Sequence, residues 1–226
     1  MIQFQNVSKI YPPDSVGVKN INLRIKEGEF VSVIGRSGSG KTTLVKLMIA
    51  EEKPESGDIT IGDWDISNIK NADIPFLRRQ IGVVFQDFKL LPKKTVFENV
   101  AFALDVCGAH NDRIREIVPQ VLRVVGLEGK ENRYPLQLSG GEQQRAVIAR
   151  SLVHSPKILV ADEPTGNLDT LNTQEITDLL KKINDFGTTI FLVTHNREVV
   201  NSLKKRVVVL DQGMIVSDEE VGRYKI

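Results

Sequence analysis

Eight residues at positions 35–42, GRSGSGKT, have the composition and spacing of a phosphate-binding loop. The glycines allow the backbone to turn so that several N–H groups converge on one anion. We expect Lys41 to reach the β- and γ-phosphates of a nucleotide and the Thr42 hydroxyl to ligate Mg²⁺. The alternative is a flexible Gly/Ser turn, which would not require a strand before it and a helix after it. The residues predicted to bind nucleotide here are Gly35, Arg36, Ser37, Gly38, Ser39, Gly40, Lys41, Thr42 and Thr43.

Two adjacent carboxylates follow the apolar segment ILVA at positions 158–161. Asp162, at the end of such a segment, can hold Mg²⁺ directly or through water beside a phosphate loop. Glu163, one residue later, can orient and polarise an attacking water, which is the work of a general base. The alternative is a solvated Asp-Glu pair before Pro164, and a complete phosphate loop elsewhere in the chain argues against it.

A second Gly-rich segment, LSGGEQ at positions 138–143, precedes a helical run. Ser139 is a good N-cap, and Gly140 and Gly141 leave their backbone N–H groups accessible. The segment is therefore a second anion-binding helix start in a chain with a single phosphate loop. The alternative is an ordinary capped helix.

The elements that must position these motifs begin with strands. Ile2–Val7 and Val18–Ile25 alternate apolar and polar residues, which predicts half-buried antiparallel strands. Phe30–Ile34 is β-branched and nearly all apolar, which favours a buried parallel strand leading into the phosphate loop. A helix is predicted after the loop, from about Lys41 to Ile49.

The middle of the chain, from about Glu98 to His154, is predicted to be mostly helical because apolar residues recur at helical spacing. Pro119 interrupts this run, and we place it at the first position of a new helix rather than inside one. The fold class predicted is α/β, a parallel core interrupted by a helical insertion, with an antiparallel sheet near the N-terminus. Further strands are predicted at Ile158–Ala161, Thr189–Val193, Arg206–Leu210 and Met214–Ser217, the last two joined by a hairpin turn at Gln212-Gly213.

Composition excludes several classes of protein. Of 226 residues, 41% are hydrophobic and 26% are charged, which is the composition of a globular protein rather than of a disordered or fibrous one. A formal net charge of +1 gives no support for nucleic acid as a partner. The single cysteine, Cys107, excludes an intramolecular disulfide. No secretory signal and no apolar run of about 18 residues is found. We therefore expect a cytoplasmic protein that reaches a membrane through a partner.

The segment Leu138–Gln143 resembles the signature motif of ATP-binding-cassette (ABC) ATPases, and the resemblance covers essentially the whole chain. It implies a P-loop (RecA-like) nucleotide-binding domain with an N-terminal antiparallel β-subdomain and an inserted α-helical subdomain. On this basis residues 1–226 form one ABC ATPase domain. Residues 1–87 and 158–226 are expected to form the core with the β-subdomain, and residues 88–157 the helical subdomain that carries the signature.

Four further residues take on roles through this resemblance. Tyr11 is similar to the aromatic residue that stacks on adenine, and Gln86 to the Q-loop glutamine that senses Mg²⁺. Asp169 resembles the D-loop aspartate, and His195 the switch histidine that contacts the γ-phosphate. Each also has an ordinary structural interpretation. In that interpretation Tyr11 is a packed aromatic residue, Gln86 a surface polar group, Asp169 a helix N-cap and His195 a structural histidine.

The family resemblance implies a mechanism. Two copies pair head to tail on binding ATP, so that ATP lies between the phosphate loop of one and the signature loop of the other. The signature residues expected to act in trans are Ser139, Gly140, Gly141 and Glu142. The cofactors implied are ATP and Mg²⁺, and the residues implied for catalysis are Glu163, His195, Lys41 and Gln86.

The stretches Phe88–Pro92 and Asn99–Leu104 are similar to those of ABC ATPases that act in bacterial cell division. This resemblance implies an integral membrane partner, an indirect link to peptidoglycan hydrolases, and a place at the cytoplasmic face of the membrane at the division site. Apolar residues near Gln86 suit contact with a helix of that partner, or else pack the helical insertion. They are Phe85, Phe88, Leu90 and Leu91.

Three other functions remain open from the sequence. One is the ATPase subunit of a lipoprotein-release or macrolide-type exporter, which shares the segment Asp162–Asp169. Another is a soluble ABC ATPase acting on DNA or ribosomes, although such proteins tend to carry two cassettes or a long coiled-coil insertion. The third is a non-catalytic nucleotide-binding scaffold, against which the presence of both Glu163 and His195 argues.

Overall fold

The computed structural model describes residues 2–224, which form ten strands, seven α-helices and one short 3₁₀-helix, Pro135–Gln137. The strands divide between two sheets, and three of the helices fall between the sixth and seventh strands. In chain order the elements are β1 (Ile2–Tyr11), β2 (Ser15–Ile25), β3 (Phe30–Gly35), α1 (Lys41–Met48), β4 (Ser56–Ile61), β5 (Trp64–Asp65), α2 (Ile74–Arg78), β6 (Ile81–Val84), α3 (Val96–Val106), α4 (Asn111–Val124), α5 (Gly140–Leu152), β7 (Ile158–Asp162), α6 (Thr170–Asp185), β8 (Thr189–Val193), α7 (Arg197–Leu203), β9 (Arg206–Asp211) and β10 (Met214–Glu219).

The larger sheet has six strands in the order β10-β9-β3-β8-β7-β6. The five strands from β9 to β6 run parallel, and β10 is antiparallel to β9. Every residue of β3 and of β8 is buried, since helices cover both faces of a parallel sheet. The predicted buried strand at Phe30–Ile34 is confirmed. The carboxyl ends of β3, β7 and β8 meet at one edge, which is where α/β proteins bind ligands.

The smaller sheet is antiparallel, with the order β2-β1-β4-β5. Ile2 pairs with Ile25 and Phe4 with Leu23, so the apolar residues of β1 and β2 fall on the same buried face. This sheet confirms the two N-terminal strands predicted from alternation, and both are longer than their alternating segments. The α/β fold class with an N-terminal antiparallel sheet is confirmed.

Helices α3, α4 and α5 share a hydrophobic cluster that continues onto one face of the parallel sheet. The prediction that Pro119 begins a helix is wrong, because Pro119 lies inside α4. It removes the N–H that would bond the Arg115 carbonyl, a loss that water can offset because Arg115 is exposed. Burial of Ile114, Val118 and Leu122 on one face keeps the helix continuous across the proline.

The hairpin between β9 and β10 turns at Gln212 and Gly213, as predicted, and both have positive φ values, 45° and 79°. Two consecutive residues with positive φ define the type I′ turn that suits the twist of paired strands. Among residues 2–224, no helix combines the length and the apolar character needed to cross a membrane.

Candidate functional site

The edge of the parallel sheet where β3, β7 and β8 end opens into a cavity of about 660 Å³, within the size range of small-ligand sites. This cavity brings together most of the residues predicted to bind nucleotide or act in catalysis. Those that line it are Tyr11, Gly35, Arg36, Ser37, Gly38, Gly40, Lys41, Thr42, Thr43, Gln86, Asp162, Glu163 and His195. Ser39 lies beneath the loop, with its hydroxyl buried and without a hydrogen-bond partner among the described residues.

Close approach of the backbone explains two glycines of the phosphate loop. A Cβ at Gly35 would overlap the Ser39 side chain and the Leu210 carbonyl. Gly40 has a φ of 103°, and a Cβ there would overlap the Gly17 carbonyl. Only glycine tolerates these close contacts and, at Gly40, the positive φ. The two glycines therefore allow the loop conformation in which its N–H groups and the start of α1 face the cavity.

Lys41, the first residue of α1, folds its side chain back over the loop. Its ammonium donates hydrogen bonds to the carbonyl oxygens of Gly35 at 2.7 Å and Arg36 at 2.9 Å. Burial lowers the pKa of the Lys41 ammonium, and the nearby charges of Glu163 and Asp162 oppose that shift. The Lys41 ammonium can therefore replace its hydrogen bonds to the two carbonyls by hydrogen bonds to a phosphate, with no movement of the helix.

Asp162 is the last residue of β7 and lines the same cavity as Thr42 and Gln86. Burial raises the pKa of the Asp162 carboxyl, the Glu163 charge raises it further, and Lys41 acts in the opposite direction. Within residues 2–224, no three His, Cys, Asp or Glu side chains cluster as a metal site. One carboxylate, one hydroxyl and one amide suit Mg²⁺, which commonly takes only one or two carboxylates and completes its shell with phosphate and water oxygens.

Glu163 and His195 form a direct pair at the mouth of this site. The Glu163 Oε1 and His195 Nδ1 atoms lie 2.7 Å apart, and the His195 backbone N–H donates to Glu163 Oε2 at 3.3 Å. Because an ionised carboxylate only accepts, this bond requires the imidazole proton on Nδ1. The Glu163 side chain is 12% exposed and that of His195 is 65% exposed, so the carboxylate is the more enclosed partner.

The backbone conformation of Glu163 sets the direction in which its carboxylate points. Glu163 has a φ of 50°, in the left-handed region that non-glycine residues rarely adopt. Its N–H donates to the Val193 carbonyl at 2.9 Å, which ties the end of β7 to the end of β8. The strained turn redirects the chain just past the sheet, so that Glu163 and His195 meet although 32 residues separate them.

Gln86 and Tyr11 lie at other parts of the cavity wall. Gln86 follows β6 and is exposed, and its side-chain nitrogen would lie 3.4 Å from a Cβ at Gly166, in the loop after Glu163. Tyr11 ends β1, and the Lys9 ammonium lies 5.4 Å from the centroid of its ring. Gly17 approaches the same ring, since a Cβ at Gly17 would lie 2.8 Å from Tyr11 Cε2.

The signature segment is a capped helix start, as predicted from Ser139. The Ser139 hydroxyl accepts from the Glu142 N–H, and the Glu142 carboxylate accepts from the Ser139 N–H, which completes a capping box. A hydrogen bond from Lys130 is the main cause that lowers the pKa of the Glu142 carboxyl. No residue from Ser139 to Glu142 lines the cavity of the phosphate loop. Its binding to the nucleotide of a second subunit stays a prediction.

Asp169 caps the start of α6, which is the structural alternative noted from the sequence. Its carboxylate accepts from the backbone N–H of Asn172 and from the Asn172 side-chain amide, both at 2.8 Å. The Asn172 amide also occupies the space that a Cβ at Gly141 would need. Asp169 is thereby connected to the signature glycines through one side chain, and its role at an ATP site stays a prediction.

A second cavity, of about 460 Å³, lies between α2 and β6 on one side and α3 and α5 on the other. Its lining is mostly apolar and includes Phe102 and Val106, which are 45% and 63% exposed. The Arg150 guanidinium donates to the carbonyls of Lys89 and Phe88, which joins α5 to the loop that follows Gln86.

The apolar residues near Gln86 do not line this second cavity. Phe88 and Leu90 are half-buried against the cluster shared by the helical segment, and Phe85 packs against the cluster beneath the other face of the sheet. Packing within the chain is therefore what the structure shows for these three side chains.

Sequence reasoning missed four residues that line the first cavity: Ser15, Val16, Gly17 and Tyr224. The first three begin β2 and reach the site only because the small sheet lies beside the phosphate loop. Tyr224 follows the last strand, and no local pattern marks it. A lone aromatic residue carries a signal only when the surface on which it packs is known.

Comparisons of this chain with a family model, with known sequences and with solved structures agree with one another. The family model described as "ABC transporter" matches residues 18–166. The chain is 52% identical over 224 residues to the cell division ATP-binding protein FtsE of Bacillus subtilis, covering 99% of this chain and 98% of that protein. It is 49% identical to FtsE of Mycobacterium tuberculosis, with the same coverage. Its fold is similar to the dimeric ATP-binding cassette MJ0796 in a post-hydrolysis state bound to ADP and Pi, at a TM-score of 0.88 and 36% identity over 99% of this chain and 100% of that one.

Proposed function

The chain belongs to the ABC transporter family and is an ATPase of that family, and we propose that it powers a two-component membrane complex of the FtsEX type. In this proposal ATP hydrolysis drives an integral membrane partner that controls peptidoglycan hydrolysis during cell division. The proposal that the chain hydrolyses ATP rests on one observation: Lys41, Asp162, Glu163 and His195 all line the same cavity. The cell-division part rests on the near full-length identity to FtsE proteins.

ATP binds with its triphosphate on the phosphate loop and its base toward Tyr11. The loop N–H groups and the start of α1 hold the phosphates, and Lys41 exchanges its two loop carbonyls for β- and γ-phosphate oxygens. The face of the Tyr11 ring opposite Lys9 stacks on adenine. The size of the cavity and the positions of these groups around it support this orientation.

Thr42, Gln86 and Asp162 would hold Mg²⁺ together with phosphate oxygens, since their oxygen donors suit that ion. The bound ion would supply charge neutralisation for the phosphates. Asp162 is held at the end of a buried strand, so its position relative to Thr42 does not depend on a mobile loop.

Glu163 accepts a proton from the water that attacks the γ-phosphorus, and His195 orients the carboxylate through the Nδ1 hydrogen bond. Lys41 stabilises the negative charge that the transferred phosphoryl group carries. Enclosure of the Glu163 carboxylate, which is 12% exposed, limits competition from bulk water for this hydrogen bond.

The complete catalytic unit is a homodimer formed on ATP binding. The signature residues Ser139–Glu142 lie outside the cavity of their own phosphate loop, so a second copy is needed to bring them to a bound nucleotide. The start of α5 presents free N–H groups suited to the γ-phosphate of that nucleotide. Asp169, which Asn172 links to the signature helix, would lie beside the same interface. The dimeric form of the related cassette MJ0796 supports this arrangement.

Residues 88–157 act as a helical subdomain on a core made of residues 1–87 and 158–226. Support comes from the position of α3, α4 and α5 between β6 and β7 and from their shared hydrophobic cluster. Movement of this subdomain would carry the signature helix toward or away from the second nucleotide, and it would reshape the second cavity at its border.

The second cavity is the docking site for a cytosolic helix of an FtsX-like membrane protein. Arg78, Arg79 and Arg150 line it, and each donates to backbone carbonyls. No carboxylate in the described part of the chain forms an ion pair with these three guanidinium groups. An amphipathic helix with apolar residues against Phe102 and acidic residues beside the arginines fits this surface. The chain would then lie at the cytoplasmic face of the membrane, at the division site.

Affinity capture of the tagged chain from detergent-solubilised membranes tests the partner. We expect an FtsX-like protein to co-purify, with capture lost when Arg79→Glu reverses one charge in the second cavity. Arg123→Glu is the matched control, because Arg123 is 70% exposed on α4 and lies outside that cavity. Recovery of a lipoprotein-handling or multi-span exporter permease instead would contradict the cell-division assignment, and undiminished capture by Arg79→Glu would contradict the docking site.

A further inference from the structure

Residues 222–224 lie against the start of β9 and against α7. The Gly222 N–H donates to the Lys205 carbonyl at 3.2 Å, and the Tyr224 N–H donates to the Asn201 side-chain oxygen at 3.0 Å. A Cβ at Gly222 would lie 2.8 Å from Val207 Cγ2, so only glycine lets the segment lie this close to β9. Two hydrogen bonds and one close approach thus determine where Tyr224 lies.

The Tyr224 side chain packs against a small apolar cluster that includes Ile34, the residue before the phosphate loop. It contacts the buried cluster formed by Ile34, Val200, Val207 and Val209. Ile34 immediately precedes Gly35 and pairs with Val209 in the parallel sheet. Tyr224 also lines the first cavity together with Arg36, Ser37 and His195. The cluster on which its ring packs adjoins the start of the phosphate loop, whereas Tyr11 approaches from the small antiparallel sheet.

The chemistry of a tyrosine suits this place. Its ring is half-buried against apolar side chains, while a phenolic hydroxyl can donate a hydrogen bond. Among residues 2–224, no protein group forms a hydrogen bond with the Tyr224 hydroxyl. A donor that has no partner among the described residues, at the wall of the cavity that the phosphate loop borders, is available to a phosphate oxygen.

We propose that Tyr224 is a further nucleotide-binding residue, whose hydroxyl donates a hydrogen bond to the polyphosphate of bound ATP. This inference rests on the proposed ATP site. It gives that site two aromatic walls, Tyr11 for the base and Tyr224 for the phosphates. Asn201 is then a positioning residue, because it holds the backbone of Tyr224 in place from α7.

Equilibrium binding of ATP to the purified full chain tests the proposal, with Tyr224→Phe and Tyr224→Ala as the principal variants. We expect both to weaken ATP binding about threefold to tenfold, the range for loss of one hydrogen bond. Asn201→Ala should weaken binding in the same direction. Phe186→Ala is the control, because Phe186 is an exposed aromatic residue outside this cavity, and it should bind ATP as the wild type does.

The outcomes separate this proposal from the proposed function. If the wild-type chain fails to bind ATP, the proposed function is wrong. If the wild type binds ATP and Tyr224→Phe binds equally well, the hydroxyl contact is refuted, whatever Tyr224→Ala does. The melting temperature of each variant without nucleotide serves as the folding check, and the Tyr224→Phe variant keeps the ring that packs on Ile34 and Val209.

Discussion

Replacement of the Glu163 carboxylate by an amide is the sharpest test of the catalytic arrangement. Glu163→Gln keeps the size of the side chain and one oxygen that can accept the 2.7 Å hydrogen bond from His195 Nδ1. The variant loses the basic oxygen that takes a proton from water. The structure therefore predicts a loss confined to the chemical step, with the phosphate loop and its Lys41 contacts unchanged.

The expected magnitude follows from what a general base contributes, which is typically about 10²- to 10⁴-fold in rate. That range corresponds to about 2.7–5.4 kcal/mol of transition-state stabilisation. The variant should bind ATP within about threefold of the wild type, since no binding contact is removed. Because ATP then persists at the dimer interface, the variant should also dimerise with ATP more completely than the wild type.

The assay is phosphate release at saturating ATP, with the membrane partner supplied, alongside ATP binding and light scattering. Glu128→Gln is the matched control, because Glu128 forms an exposed pair with Arg123 on the helical segment and should show wild-type turnover. Turnover of Glu163→Gln within threefold of the wild type would remove Glu163 from the role of base. A variant that stays monomeric with ATP, even with the partner, would contradict the composite site.

Three other perturbations test separate parts of the structure. Gly35→Ala should abolish ATP binding, because the added Cβ overlaps Ser39 and the Leu210 carbonyl and must displace the phosphate loop. ATP binding within threefold of the wild type would show that the loop accommodates a side chain at this position. Pro119→Ala should raise the free energy of unfolding by about 1–3 kcal/mol in urea titration, since α4 regains the N–H that bonds the Arg115 carbonyl; a decrease would show that the proline is favourable there. EDTA should abolish phosphate release without lowering the melting temperature, because the proposed Mg²⁺ residues Thr42 and Asp162 are held by α1 and β7; full activity in EDTA would refute the metal role.

Local patterns predicted much of this fold correctly. The strand at Phe30–Ile34, the helix after it and the turn at Gln212-Gly213 depend on residues that are neighbours in the chain. Apolar periodicity and the φ demands of glycine act over such short distances, so the sequence carries them directly. Local patterns failed at Pro119, because burial of one face of α4 outweighs the local preference against proline inside a helix.

The sequence by itself determined which groups are available for chemistry: a phosphate loop, two carboxylates after a strand, and a capped glycine-rich helix start. It also determined which segments have one apolar face, because that depends on spacing alone. Periodicity does not state which strand lies beside which. Only the strand order of the larger sheet places Lys41, Asp162 and His195 at one edge.

Tertiary structure alone decided three further features. It brought Glu163 into contact with His195, packed Phe88 and Leu90 against the hydrophobic core, and placed Tyr224 against the cluster that includes Ile34. The physical reason is the same in each case. The partner of each side chain is distant in sequence, and the contact exists only because strands and helices pack in one particular arrangement.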